Sequence, residues 1–303
     1  MSRRGWLLFG AMCVIWGIPY LLIKVAVTAV TPATLVFLRT SVGGLLLLPL
    51  AIQRRSLGPL LPRWRSLLVY TVVEVAVPWL LLSDAERRLS SSLSGLLVAA
   101  VPLVGALIAL LVGGGERLDA RRLGGLLVGL AGVAALLGFD IGVGDIGAVA
   151  EVGLVTVGYA TGPLIISRRL SDLPADGVIT ASLLVSAAAY APLFATQLPA
   201  VMPSTREIVA IGVLAVVCTA LAFLLFFSLI TEVGPLRATV ITYVNPAVAV
   251  TLGVVLLGEP FTAGTGIGFV LILAGSFLAT RRTRQHAAPA AYPVEAEAVA
   301  LPR

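Results

Sequence analysis

Apolar residues run along most of this chain in stretches of about twenty, broken by short polar joints rich in arginine, glycine and proline. The stretches do not alternate apolar and polar faces as the helices of a soluble core would. The pattern predicts ten helices, over 5–28, 33–52, 66–83, 93–112, 121–138, 146–166, 177–197, 207–230, 237–257 and 264–280. Each is long enough to cross a hydrocarbon layer ~30 Å thick. A lipid core leaves no water for an open backbone, so spans of this kind are helical. A barrel would need alternating segments of about ten residues, and none is present.

The punctuation repeats. Pro102 leads through an apolar run to Gly115-Glu116 and then Gly125 and Gly132; Pro246 leads to Gly258-Glu259 and then Gly268 and Gly275. The glutamates and later glycines are 143 residues apart, the prolines 144. Pro19 and Pro49 likewise match Pro163 and Pro192. The reading is two five-helix repeats, 1–140 and 141–281, followed by an Ala/Pro/Glu-rich tail, 282–303, without apolar periodicity. Five is odd, so the second repeat enters the membrane in the opposite sense. The fold class is an all-α polytopic membrane protein of ten helices in two inverted repeats.

Composition sharpens this picture. The chain is 59% hydrophobic and 12% charged, with a mean hydropathy of +1.05. Twenty of its 21 basic residues are arginine, sixteen on the side of the N-terminus and only Arg87, Arg88 and Arg206 opposite. Basic loops stay in the cytoplasm, so both termini are expected there, in a multi-pass protein of the cytoplasmic membrane. The net charge of +6 fits topology and anionic lipid. No basic cluster interleaved with aromatics suggests nucleic acid. Arg3-Arg4 before an apolar run resembles a secretion signal, but the run is too long and Lys24 interrupts it.

Catalytic chemistry finds little support. His286, the only histidine, lies in the tail, and Cys13 and Cys218 lack metal or disulfide spacing. No catalytic residue, metal or cofactor is expected, and an intramembrane enzyme is disfavoured. A channel is disfavoured by the lack of a repeated acidic or carbonyl-rich pore pattern. Inverted repeats are a common construction of secondary transporters, which place substrate near the midplane between the halves.

The order of motifs carries a resemblance. Trp16-Gly17 with Lys24, Pro32 then Arg39, Pro102 with Gly115-Glu116, and Asn245-Pro246 with Gly258-Glu259 resemble the EamA family of the drug/metabolite transporter superfamily over about residues 5–281. The resemblance implies ten helices and secondary transport, often export, of small metabolites across the cytoplasmic membrane; amino acids or related compounds are the first guess for the substrate. Glu74 is outside that pattern.

Candidate transport residues come from polar groups inside spans. Glu74 lies ~12 Å into the core by helical rise, with Tyr70 one turn away. A carboxylate there suits proton coupling or amine binding, and a structural polar contact is the plain alternative. Trp16, Tyr20 and Lys24 share one face of the first helix. Lys24 and Arg39 suit a substrate carboxylate or an ion pair with Glu151 or Glu74; snorkelling serves Lys24 equally well. Thr239, Thr242 and Asn245 form a polar stripe beside Pro246, and Tyr159 and Thr161 lie beside Pro163. The glycine-glutamate pairs read as helix stops and caps, and the later glycines as close packing points.

Overall fold

A computed structural model describes residues 1–111, 120–140, 145–199 and 201–280. Among these residues the chain is helical, without strands. Nine helical runs are long and apolar enough to cross a membrane, and a tenth helix holds a shorter apolar stretch, Leu123–Leu136. Gly115-Glu116 and the tail lie outside the described residues.

The helices follow the apolar pattern, with informative departures. The first, α1, is in two pieces, Arg3–Ile15 and Pro19–Ala26, with the break at Trp16-Gly17-Ile18 just before Pro19. Next, α2 spans Pro32–Gln53. The third, α3, is longer than the pattern predicts, running from Trp64 to Arg88 with a wide π-turn at Thr71–Ala76. Its polar end was expected as a loop. Instead Arg87 and Arg88 reach back to Asp84 at 3.3 and 2.9 Å, which supports the last turn.

The fourth helix, α4, is broken into Ser91–Val98 and Val101–Leu111. Helices α5 (Ala120–Asp140), α6 (Ile146–Ile165) and α7 (Ala175–Thr196) follow. Helix α6 ends in a π-turn at Ile166–Leu170, and helix α8 runs as Thr205–Ala215, a further π-turn at Val216–Leu221, and Ala222–Val233. Helix α9 is broken into Pro235–Ala238, a tight 3-10 turn at Thr239–Tyr243, and Asn245–Leu257. Finally, α10 spans Ala263–Thr280.

Four of the interruptions form two matched pairs. The π-turns of α3 and α8 fall at equivalent places, and so do the breaks of α4 and α9, just before Pro102 and Pro246. Proline lacks an N–H and clashes with the preceding turn, so Pro78 opens the helix into a wider turn. In α8 no proline is present. There the Thr219 hydroxyl bonds the carbonyl of Leu214, five residues back, at 2.8 Å. The repeats thus share the deformation but reach it by different residues.

Counterpart helices also meet: α2 lies on α7, α5 on α10, and the Ser91–Val98 half of α4 on the Asn245–Leu257 half of α9. The other halves part company. Val101–Leu111 packs on α6 and α10, whereas Pro235–Tyr243 packs on α8 and α1. The two broken helices therefore meet at the arginine-poor face and diverge toward the arginine-rich one.

The α5–α10 seam depends on missing side chains. A Cβ on Gly132 would sit 2.8 Å from the Ile272 backbone nitrogen, and one on Gly125 would sit 2.5 Å from that of Ala279. Gly275 lies against Gly129, backbone to backbone. This bears out the close-packing expectation except at Gly124, which faces open space. Gly132→Leu should lower the thermal midpoint in detergent, by an overpacking cost of about 1–3 kcal/mol. Gly124→Leu, next to Gly125 in sequence but facing open space, should leave it nearly unchanged; equal losses would contradict this seam.

Candidate functional site

Arg39 organises the centre of the molecule. It lies on α2, is 8% exposed, and lays its guanidinium over the Trp79 ring of α3 at 3.7 Å. Its Nε donates to the Thr219 hydroxyl on the α8 π-turn at 2.9 Å. A desolvated cation over an aromatic face is stabilised by about 2 kcal/mol, so the side chain is held on two sides. Tyr20 of α1, Tyr159 of α6, Cys218 of α8 and Glu86 of α3 all lie within electrostatic reach of it. Tyr159 also lies beside the Trp79 indole. Tyr20, Arg39, Trp79 and Glu86 belong to the first repeat, Tyr159, Cys218 and Thr219 to the second. The cluster therefore spans the junction between the two.

Glu86 escaped the sequence reading because the third span was ended at 83. It is fully buried, and neither carboxylate oxygen has a hydrogen-bond partner. The spacing held the clue: Trp79, Ser83 and Glu86 recur at helical intervals of four and three, all on the buried face, while Arg87 and Arg88 point away.

Glu74 sits in the α3 π-turn against α6. A Cβ on Gly162 would collide with its carboxylate, and one on Gly158 with the Val73 carbonyl. These two glycines give the wide turn its seat. Tyr190 of α7 supplies the carbonyl of Ala76 with a hydroxyl donor at 2.9 Å. Oε2 of Glu74 is buried without a partner, and Tyr70 and Tyr159 are its electrostatic neighbours. Glu74 therefore borders the Arg39 cluster.

The other candidates are placed differently. Lys24 neither snorkels nor pairs with Glu151 or Glu74. Its Nζ donates to the carbonyls of Glu86 and Leu89 at 2.7 and 2.8 Å, capping the end of α3 with a cation where the helix dipole is negative. Glu151 instead pairs with Arg88 at 2.6 Å. Trp16 packs on Phe223 and Phe226 of α8, at ring distances of 5.9 and 4.7 Å. Asn245 joins two breaks: with its amide nitrogen facing them, it donates to the carbonyls of Cys13 and Ile241 at 3.1 and 2.9 Å. Thr242 lies exposed on the 3-10 turn of α9, and Thr161 bonds its own helix at Val157. Cys13 and Cys218 are free and buried in apolar clusters, as expected of small hydrophobes.

The arginine-poor face is closed by a cap. Gly258 ends α9 in the left-handed conformation at φ +68, which turns Glu259 toward α4. Its carboxylate accepts from the Ser91 and Ser92 amides at 2.7 and 2.9 Å and from the Ser92 hydroxyl at 2.5 Å. An anion on a helix N-terminus is favourable by both hydrogen bonding and dipole. The equivalent Glu116 lies outside the described residues.

Paired broken helices, packed together at one face and diverging at the other around a shared polar cluster, define a membrane transport protein of the inverted-repeat type. The comparisons agree. Residues 3–138 and 150–281 match the EamA-like transporter family, and the chain belongs to that family. It is similar to the uncharacterized inner membrane transporter YedA of Escherichia coli K12, 28% identical over 263 residues and covering 83% of each chain. It is also similar to the uncharacterized transporter YvbV of Bacillus subtilis 168, 23% identical over 293 residues and covering 95% of each. A solved crystal structure, 24% identical, matches with a TM-score of 0.65 over 92% of this chain and 98% of that one, which establishes the shared fold.

Removing the Glu259 carboxylate should loosen the closed face, since hydrogen bonds to a charged group contribute about 1.5–3 kcal/mol each. Ser91 is buried and its hydroxyl is unpartnered, so Ser91→Cys makes a fitting reporter in a background lacking Cys13 and Cys218. Glu259→Ala should speed labelling of that thiol by a membrane-impermeant maleimide severalfold. An unchanged rate would show that Glu259 does not hold this face shut.

Proposed function

We propose that this transporter moves small polar metabolites, amino acids or related compounds first among them, out of the cell across the cytoplasmic membrane. It works by alternating access, with residues 1–140 and 141–281 as the two rocking halves and both termini in the cytoplasm. Sixteen arginines against three favour that orientation. The observation that carries the reading is the convergence of Arg39, Tyr20 and Glu86 from one half with Tyr159 and Thr219 from the other. A site built from both halves is remade whenever they move, so cargo bound there is exposed to one side at a time.

The charge types suit a zwitterion. A pinned guanidinium is a rigid fork for a carboxylate, and the tyrosines offer faces and hydroxyls. Glu74, on the deformed turn beside the cluster, is the residue we assign to proton coupling. A carboxylate inside the membrane without a fixed partner is costly unless its occupancy changes in function.

Vesicle transport under an imposed pH gradient tests this assignment. Glu74→Gln should reduce flux to the rate without a gradient, while insertion and detergent elution remain as in the wild type. Flux that stays pH-dependent and undiminished in Glu74→Gln would remove this residue from the mechanism.

A further inference from the structure

We propose that Glu86, about two turns from the pinned Arg39–Trp79 pair along α3, is the recognition point for an ammonium group on the cargo. The proposal rests on the transporter reading and narrows its substrate class. Glu86 is the most enclosed charged side chain described, with no exposed surface and both oxygens lacking a donor. Lys24 is near it, yet donates to the main-chain carbonyls of Glu86 and Leu89 rather than to the carboxylate. Arg39 is in electrostatic reach, yet its face is taken by Trp79 and its Nε by Thr219. Glu259, an acid within electrostatic reach, is occupied by the Ser91 and Ser92 amides. Lys24 and Arg39 oppose the cost of burying a charge there, and the carboxylate oxygens are left empty.

Three occupants would satisfy such a group: a metal ion, a proton or an organic cation. A hard metal ion takes six or more oxygens, and no cluster of three acidic, cysteine or histidine ligands occurs among the described residues. A proton fills one oxygen and makes no use of the aromatic faces nearby. An ammonium group brings three donors, and Tyr20 and Tyr159, both within electrostatic reach of Glu86, carry rings of a kind that attracts cations. Arg39 lies on the same cluster and suits the carboxylate end of the same molecule. The geometry thus fits a compound with an ammonium and a carboxylate a short spacer apart. The position is one-sided: the second repeat has the apolar Leu229 and Ile230 at the matching place, so only one orientation of cargo meets both charges.

The test uses the full-length protein in detergent. The probes are L-leucine and L-phenylalanine, their decarboxylated amines, and the matching acids lacking the amine, with binding read by calorimetry. Wild-type protein should bind at least one amine-bearing probe, and Glu86→Gln should weaken that binding tenfold or more. Glu86→Asp, which keeps the charge but withdraws it by one methylene, should lie between. Unchanged helical circular dichroism and elution establish folding; if Glu86→Gln fails that check, the Glu86→Asp loss decides. Equal binding in wild type and variant, binding of the acids alone, or binding of no probe would overturn the assignment. Vesicle flux separates this from the transporter reading. Flux of the amine-bearing probes unaffected by Glu86→Gln leaves transport standing and removes the ammonium site. Binding lost in the variant without flux of any probe does the reverse.

Discussion

A hydrocarbon core has no water to offer a free N–H or carbonyl, so every interruption of a helix must be satisfied from within the protein. That constraint governs this structure. Tyr190 covers the carbonyl of Ala76 beside the α3 turn, Thr219 covers that of Leu214 in α8, and Asn245 ties the α1 and α9 breaks together. Ser276 reaches the Ala99 carbonyl at the break in α4, at 3.4 Å. Each repair brings a polar side chain to the middle of the bundle, and the repairs sit where the two repeats touch. The Arg39 cluster grows out of them: Thr219 both mends its helix and anchors Arg39.

Pairing of the breaks gives the structure its two-sided character. The arginine-poor halves of α4 and α9 share an interface where Gly95 takes the Ala249 methyl, and Glu259 fastens the end of one to the start of the other. Their remaining halves belong to different neighbours. On the alternating-access proposal, a helix broken at its middle lets one half move with one bundle while the other half stays with another, which makes the prolines the proposed joints. The Arg88–Glu151 pair and the Thr31–Gln197 hydrogen bond at 2.7 Å add cross-repeat contacts on the same closed face. Such exposed contacts are individually weak, which suits a face that has to open.

Much of this was legible in the chain. Hydropathy placed the ten helices within a few residues, and duplicated Pro102 and Pro246 with the Gly-Glu pairs revealed the repeat. Those features report local backbone chemistry, which a sequence carries directly. The site was only partly legible. Arg39, Tyr20 and Tyr159 were identified, but what joins them comes from contacts between residues up to 180 positions apart, as in Arg39 to Thr219. Glu86 was hidden by the charges around it, since Asp84, Arg87 and Arg88 made its turn look like a loop. Lys24 was misread because its partners are backbone carbonyls, which no side-chain pattern announces. The π-turn in α8 left no trace in residue types, since no proline marks it.

The central claim is that the halves exchange access around the Arg39 cluster, and it is tested by paired distances. Spin labels at Arg87 and Phe261 report the arginine-poor face, and labels at Leu111 and Arg237 the opposite face; all four side chains are exposed. Pulsed electron resonance on protein in lipid, with and without a transported compound, should show the two distances changing in opposite directions. Two distances that stay fixed, or that lengthen and shorten together, would contradict alternating access.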